Sequence, residues 1–144
     1  DSNPKQRNHS IMSKNWVQDI ALMHSKYGVK QWVADNPDKL EQLLHFRISF
    51  LKEEYEETFK AVGEKDPEEI VDGLIDLCVV AIGTLDAFGI DSEKAWDEVL
   101  KANMKKEVGV KETRPNPLGL PDLIKPEGWT APSHEDNHGK LHNI

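Results

Sequence analysis

The sequence predicts an all-α protein: a four-helix-bundle-like core, an irregular proline-rich C-terminal segment, and assembly into an oligomer. Three observations carry this expectation. Apolar residues recur at intervals of three and four, the period of an amphipathic helix. These stretches are bounded by capping residues, prolines and glycines in the places where helices start and stop. No convincing strand pattern appears anywhere along the chain.

The first helix is expected over about 15–27, with Trp16, Val17, Ile20 and Met23 on one face and Gly28 as its stop. The second opens at Asn36-Pro37, a cap followed by proline at the first helical position. Leu40, Leu43, Leu44, Ile48, Leu51, Tyr55 and Phe59 follow at helical spacing, and it ends near Gly63. Asp66-Pro67-Glu68-Glu69 opens the third, with Asp66 as cap and Glu69 able to close an acidic variant of the capping box. From 74 to 85 this helix is apolar nearly all round, so it should be covered on more than one side. Gly73 and Gly83 allow neighbouring helices to approach closely. The fourth follows Gly89, capped by Asp91 or Ser92, and presents Ala95, Trp96, Val99, Leu100 and Asn103 before Gly109. Beyond that point Pro115, Pro117, Pro121, Pro126 and Pro132 forbid a regular helix. The interspersed Leu118, Leu120, Leu123, Ile124 and Trp129 argue for packing. Residues 1–11 read as a tag remnant or disordered leader, 12–132 as the domain, and 133–144 as a flexible tail in which His134, His138 and His142 sit.

Composition narrows the function. The 144 residues carry a net charge of −8, which disfavours nucleic acid as a partner because such binding needs a basic footprint. No apolar stretch reaches the roughly 18 residues of a membrane span, so no membrane partner is expected. The lone Cys78 lies in an apolar run, reads as a buried thiol, and suits a reducing cytoplasm, or the host cytoplasm for a viral protein.

Chemistry concentrates in two acidic stretches. Glu53, Glu54 and Glu57 fall on one side of the second helix, and Glu69, Asp72 and Asp76 follow on the third. The connection between these helices is short, so they should pack antiparallel. Glu57 and Asp72 then lie about 8–9 Å from the turn at 1.5 Å per residue, with Glu53, Glu54 and Asp76 roughly 12–15 Å away. Like charges brought into register need cations among them, and all-oxygen donors suit hard divalent ions. A solvated acidic face is the plainer alternative. Against it, Asp72 and Asp76 interrupt what is otherwise a core helix, where unpaired carboxylates are costly.

The pattern Glu-Glu-x-x-Glu followed by Glu-x-x-Asp resembles the all-α nucleoside triphosphate pyrophosphohydrolases. That superfamily includes MazG-like enzymes, dimeric dUTPases, dCTP pyrophosphatases and phosphoribosyl-ATP pyrophosphohydrolases. The stretches 68–76 and 83–91 resemble the central helix and its exit in small single-domain members. Val99-Leu100-Lys101-Ala102-Asn103-Met104-Lys105-Lys106 and Lys125-Pro126-Glu127-Gly128-Trp129 resemble the end of that subgroup, phage-encoded members included. The resemblance implies cleavage of a (d)NTP to (d)NMP and pyrophosphate with Mg²⁺, or Mn²⁺ in its place, two or more ions per site. Glu54, Glu57, Glu69 and Asp72 match the family's metal ligands, and Asp76 is a candidate for an additional ion. Glu53 and Glu54 are the candidate catalytic residues, Glu53 in a supporting role, orienting the attacking water or acting as general base. Asn103, Lys106, Lys125 and Trp129 are candidates for binding substrate, and the resemblance leans toward a purine triphosphate (dGTP or GTP).

Two other classes compete with the enzyme. One is an acidic helical interaction module that binds a basic partner. The other is a di-iron bundle, which wants Glu-x-x-His pairs that these acids lack. A homodimer or homotetramer is expected because the third helix has little polar face to show water. Arg47, two turns ahead of Glu54, is a candidate to pair with the acidic row.

Overall fold

Helix α1 (Trp16–Lys26) begins where the Asn15 side chain accepts a hydrogen bond from the Gln18 backbone. It ends at Gly28, whose φ of 77° is left-handed. A computed structural model describes residues 13, 15–111, 113 and 116–144; the leader expected at 1–11 lies outside the described residues. They divide into two compact units, one running up to residue 92 together with 138–144, the other spanning 93–137.

In the first unit a short helix, α2 (Val29–Asp35), follows α1 directly. Seven residues are too few to show a period, which is why sequence patterning does not reveal it. Asn36 does not cap the next helix. Its Nδ2 donates to Trp32 O at 2.8 Å, closing α2, and a 3₁₀ turn, Pro37–Lys39, leads into α3 (Leu40–Gly63). Helix α4 (Pro67–Ala87) starts as expected, with Asp66 accepting from Glu69 N at 3.2 Å. It packs mainly on α3 and also on α1. Its cover is partial: Val71, Leu74 and Ile75 are exposed, and Cys78 is half-buried rather than buried.

The core is a cluster of Val33, Leu40, Ala87 and Phe88, with Phe88 fully enclosed. The chain end joins it. Gly139–Asn143 form a 3₁₀ helix whose Leu141 packs on this cluster, and Lys140 N donates to Phe88 O at 2.7 Å. Gly139 has φ 51°, and a Cβ there would overlap Phe88 O. Residues 139–143 therefore depart from the flexible tail expected over 133–144, because one apolar side chain and one backbone bond anchor them.

The second unit holds nearly all of α5 (Ser92–Met104) and a two-stranded antiparallel sheet. Strand β1 (Glu107–Gly109) pairs with β2 (Asp122–Ile124) in the register Val108↔Leu123. These strands correct the strand-free expectation; three residues each are too short to display alternation. Trp129 is half-buried, its Nε1 donating to Ala102 O at 2.8 Å. Leu118 and Leu120 do not pack as expected and stay exposed.

Candidate active site

The α3–α4 hairpin decides which side chains face one another. Gly73 lies so close to Thr58 that a Cβ there would overlap Thr58 Oγ1. The Thr58 hydroxyl is turned onto its own helix, donating to Glu54 O at 2.8 Å. Farther from the turn, Arg47 Nη2 donates to Val80 O and its Nε to Thr84 Oγ1, both at 3.1 Å. Counting back one turn from Thr58 reaches Glu54, and counting on nearly one turn from Gly73 reaches Asp76. The two helices thus run antiparallel with Glu54 and Asp76 at one level.

Electrostatics report the same proximity. The Glu54 carboxyl is pushed above the usual range by burial, then by the charges of Asp76, Glu57, Glu53 and Asp72. Asp76 is pushed up by burial, then by the charge of Asp72 and a hydrogen bond with its side chain. Five of the six acids named from sequence therefore act on one another. Glu69 does not bear on Glu54 or Asp76; it is exposed in the first turn of α4.

No ion pair relieves these charges among the described residues, although neighbours on α3 are paired: Lys52 with Glu56 at 3.9 Å and Lys60 with Glu64 at 3.7 Å. Among the described residues, no three His, Cys, Asp or Glu side chains converge tightly enough to hold a metal ion. The donor set, all carboxylate oxygens with two members raised by burial and by their neighbours, fits a hard divalent cation such as Mg²⁺ or Mn²⁺ and does not suit a soft one.

Arg47 does not pair with the acidic row. It is half-buried, its burial disfavours the charged form, and its partners are the α4 oxygens given above. Beside it His24 of α1 is buried, with Nδ1 2.8 Å from Asp86 Oδ2 of α4. Sequence reading missed His24, Thr84 and Asp86. The His24–Asp86 pair joins residues 62 positions apart, and no local pattern signals it.

In the second unit, Lys106 and Lys125 place their Nζ 5.4 and 5.0 Å from the Trp129 ring centre. Three of the four expected substrate-binding residues thus form one cation–π cluster; Asn103, the fourth, is exposed on α5. A cavity of about 220 Å³ in this unit is lined by Glu98, Lys101, Lys105 and Thr130, among others.

A family model described as phosphoribosyl-ATP pyrophosphohydrolase matches residues 29–103, more than half of the chain. The match begins at α2, takes in the whole α3–α4 hairpin and ends within α5. No curated protein and no solved structure matches.

Proposed function

The chain belongs to the phosphoribosyl-ATP pyrophosphohydrolase family, part of the all-α NTP pyrophosphohydrolase superfamily, and on that premise we propose that it is a divalent-metal-dependent hydrolase of nucleoside triphosphates. The family implies pyrophosphohydrolase activity on nucleotides. The finer reading is cleavage between the α and β phosphates, releasing a (d)NMP and pyrophosphate, with purine (dGTP or GTP) preference. The observation that carries it is the level pairing of Glu54 with Asp76 inside a set of carboxylates that has no cationic partner among the described residues.

Glu54, Glu57, Glu69, Asp72 and Asp76 are the residues that would hold Mg²⁺ or Mn²⁺, two or more ions per site. Bound there, the cations supply charge neutralisation for phosphate oxygens and acidity for water. Glu53 and Glu54 would orient the attacking water and take its proton. Phosphoryl transfer needs positioning and charge compensation more than covalent chemistry, so no nucleophilic side chain is required. In this reading Asn103, Lys106, Lys125 and Trp129 bind substrate.

The oligomer belongs to the same proposal. Ile48, Tyr55, Phe59 and Val62 form an exposed stripe on α3 at helical spacing, and Val71, Leu74 and Ile75 are exposed on α4. Apolar surface of this extent suits a second copy of the chain. Light scattering that gives 16.4 kDa at working concentration would remove that part.

The decisive experiment is a substrate panel of the canonical NTPs and dNTPs plus phosphoribosyl-ATP, with Mg²⁺, following monophosphate and pyrophosphate separately. Release of orthophosphate and a diphosphate contradicts α–β cleavage. No turnover of any substrate, together with capture of a basic protein, favours the acidic interaction module instead.

A further inference from the structure

The cavity of about 220 Å³ in the second unit is lined by Glu98, Lys101 and Lys105 on one wall and by Thr130, Ala131 and Pro132 on the other. Positions 98, 101 and 105 share one face of α5 and its last turn. Asn103, two residues on from Lys101, lies about 200° round the helix and does not line the cavity. Lys101 and Lys105 are neighbours along that face, where like charges repel. Neither is ion-paired among the described residues, although Asp97 and Glu98 stand one turn before Lys101. Two cations held one turn apart favour an anion between them.

The facing wall is fixed rather than draped. Trp129 N donates to Pro126 O at 3.0 Å across a turn in which Gly128 has φ 76°. The indole Nε1 then donates to Ala102 O at 2.8 Å, which ties residues 130–132 to the helix. A helix C-terminus ordinarily repels anions through its free carbonyls. Here Ala102 O accepts from Trp129 Nε1 and from Lys105 N, and Asn103 O accepts from Lys106 N at 3.1 Å. Lys106 and Lys125 add their ammonium groups around the Trp129 ring, one residue from Thr130. Four lysines thus gather about one short loop of a chain whose net charge is −8.

Size and donors select the ligand. The cavity is smaller than the roughly 300 Å³ at which pockets for whole organic ligands begin, so it has room for a compact anion and not for an entire nucleotide. Two ammonium groups and a hydroxyl supply donors in excess, while Glu98 opposes any weakly charged guest. An anion with two phosphoryl groups carries enough charge to outweigh that carboxylate and enough oxygens to meet both lysines. We propose that Lys101, Lys105 and Thr130 form a binding site for a diphosphate group, either free pyrophosphate or the terminal phosphates of a nucleotide. The site uses none of the acids on the α3–α4 hairpin, and it stands or falls apart from the hydrolase reading.

Lysines that only complement the α5 dipole would stabilise the helix without holding an anion, so the test reads binding. Pyrophosphate and orthophosphate are titrated into the full chain by calorimetry in EDTA at about 0.15 M salt, where surface attraction is screened. Without a metal the acidic hairpin repels both anions and contributes nothing. The wild type is expected to bind pyrophosphate at least about tenfold more tightly than orthophosphate, because only pyrophosphate reaches both lysines at once. Lys101→Ala with Lys105→Ala should weaken pyrophosphate by about tenfold or more, and Thr130→Val by about threefold, through lost hydrogen bonds. Glu98→Gln should tighten it by about threefold by removing the opposing charge. Lys30→Ala with Lys39→Ala, which removes the same charge from the first unit, should change it by less than about twofold.

An α,β-methylene analogue of dGTP separates the two sources. Binding as tight as pyrophosphate and lost in the Lys101/Lys105 variant assigns the cavity to the terminal phosphates of a nucleotide; no binding of the analogue assigns it to the free anion. No measurable pyrophosphate binding by the wild type at millimolar concentration overturns the proposal. So does equal weakening by the Lys30/Lys39 pair, which marks a general field, or loss in Lys106→Ala with Lys125→Ala while the Lys101/Lys105 variant binds normally. Turnover is not read in this experiment: if no nucleotide is hydrolysed yet pyrophosphate binding persists and falls in the Lys101/Lys105 variant, the anion site stands and the hydrolase reading fails.

Discussion

Two polar levels of one helical hairpin handle charge in opposite ways. Near the turn, burial and then the charges of neighbouring carboxylates raise Glu54 and Asp76, and no ion pair relieves these acids among the described residues. Two turns away, Arg47 and His24 are held by oxygens of α4: two neutral ones for the guanidinium, a carboxylate for the imidazole. The glycines mark the same contrast. Gly73 brings the backbones together against a short β-branched side chain, Thr58, whereas Gly83 makes room for the ends of two long side chains. A level whose charges are unmet is suited to take a ligand that changes them.

The largest effect is expected at the carboxylates. Replacing Glu57 or Asp72 by alanine should lower turnover by more than about a hundredfold, with the helical signal intact. The metal-free melting temperature should stay or rise, because a like charge has been removed. Near-normal rates in either variant would show that the acidic level is not the site.

Next in size are the glycines. Gly73→Ala drives a methyl into Thr58 and should cost about 1–3 kcal/mol by overpacking, read as a lower urea midpoint. Gly83→Ala displaces only the end of Arg47. It should lose about 1 kcal/mol of hydrogen bonding and regain about 1 kcal/mol of helix propensity, leaving stability near wild type. Equal destabilisation by the two would mean that the Arg47 level is as rigid as the Thr58 contact.

Smaller still is the response to pH. Glu54 and Asp76 have folded-state pKa values raised above their unfolded ones, so the folded chain holds these protons more tightly. Metal-free stability should therefore gain from these two groups as the pH falls from neutral through their raised values. The gain levels off below the ordinary carboxylate range, where both states are protonated. Mg²⁺ should raise the melting temperature at pH 7 and lose that effect at the acidic end. Glu54→Gln should flatten the metal-free profile; an unchanged profile would remove the coupling from the account. The smallest effect belongs to the paired acids outside the site: Glu56→Gln breaks an exposed bridge to Lys52 and should change stability by less than about 1 kcal/mol.

Much of the acidic level was legible before any coordinates. Glu53, Glu54 and Glu57 share a face by spacing alone, and a short connection puts Asp72 and Asp76 opposite them. Glu69, one turn nearer the start of α4, is absent from the charges that act on Glu54 and Asp76.

By itself the sequence determined the four long helices, the cap at Asp66, the stop at Gly28 and the level pairing of carboxylates. Each of these follows from the helical repeat and from bonds between residues a few positions apart. Only the tertiary structure decided that His24 meets Asp86, that Arg47 turns to α4 rather than to the acids, that β1 finds β2, and that Leu141 returns to the Phe88 core. Those contacts join distant positions, where no periodicity carries information and packing alone selects the partner.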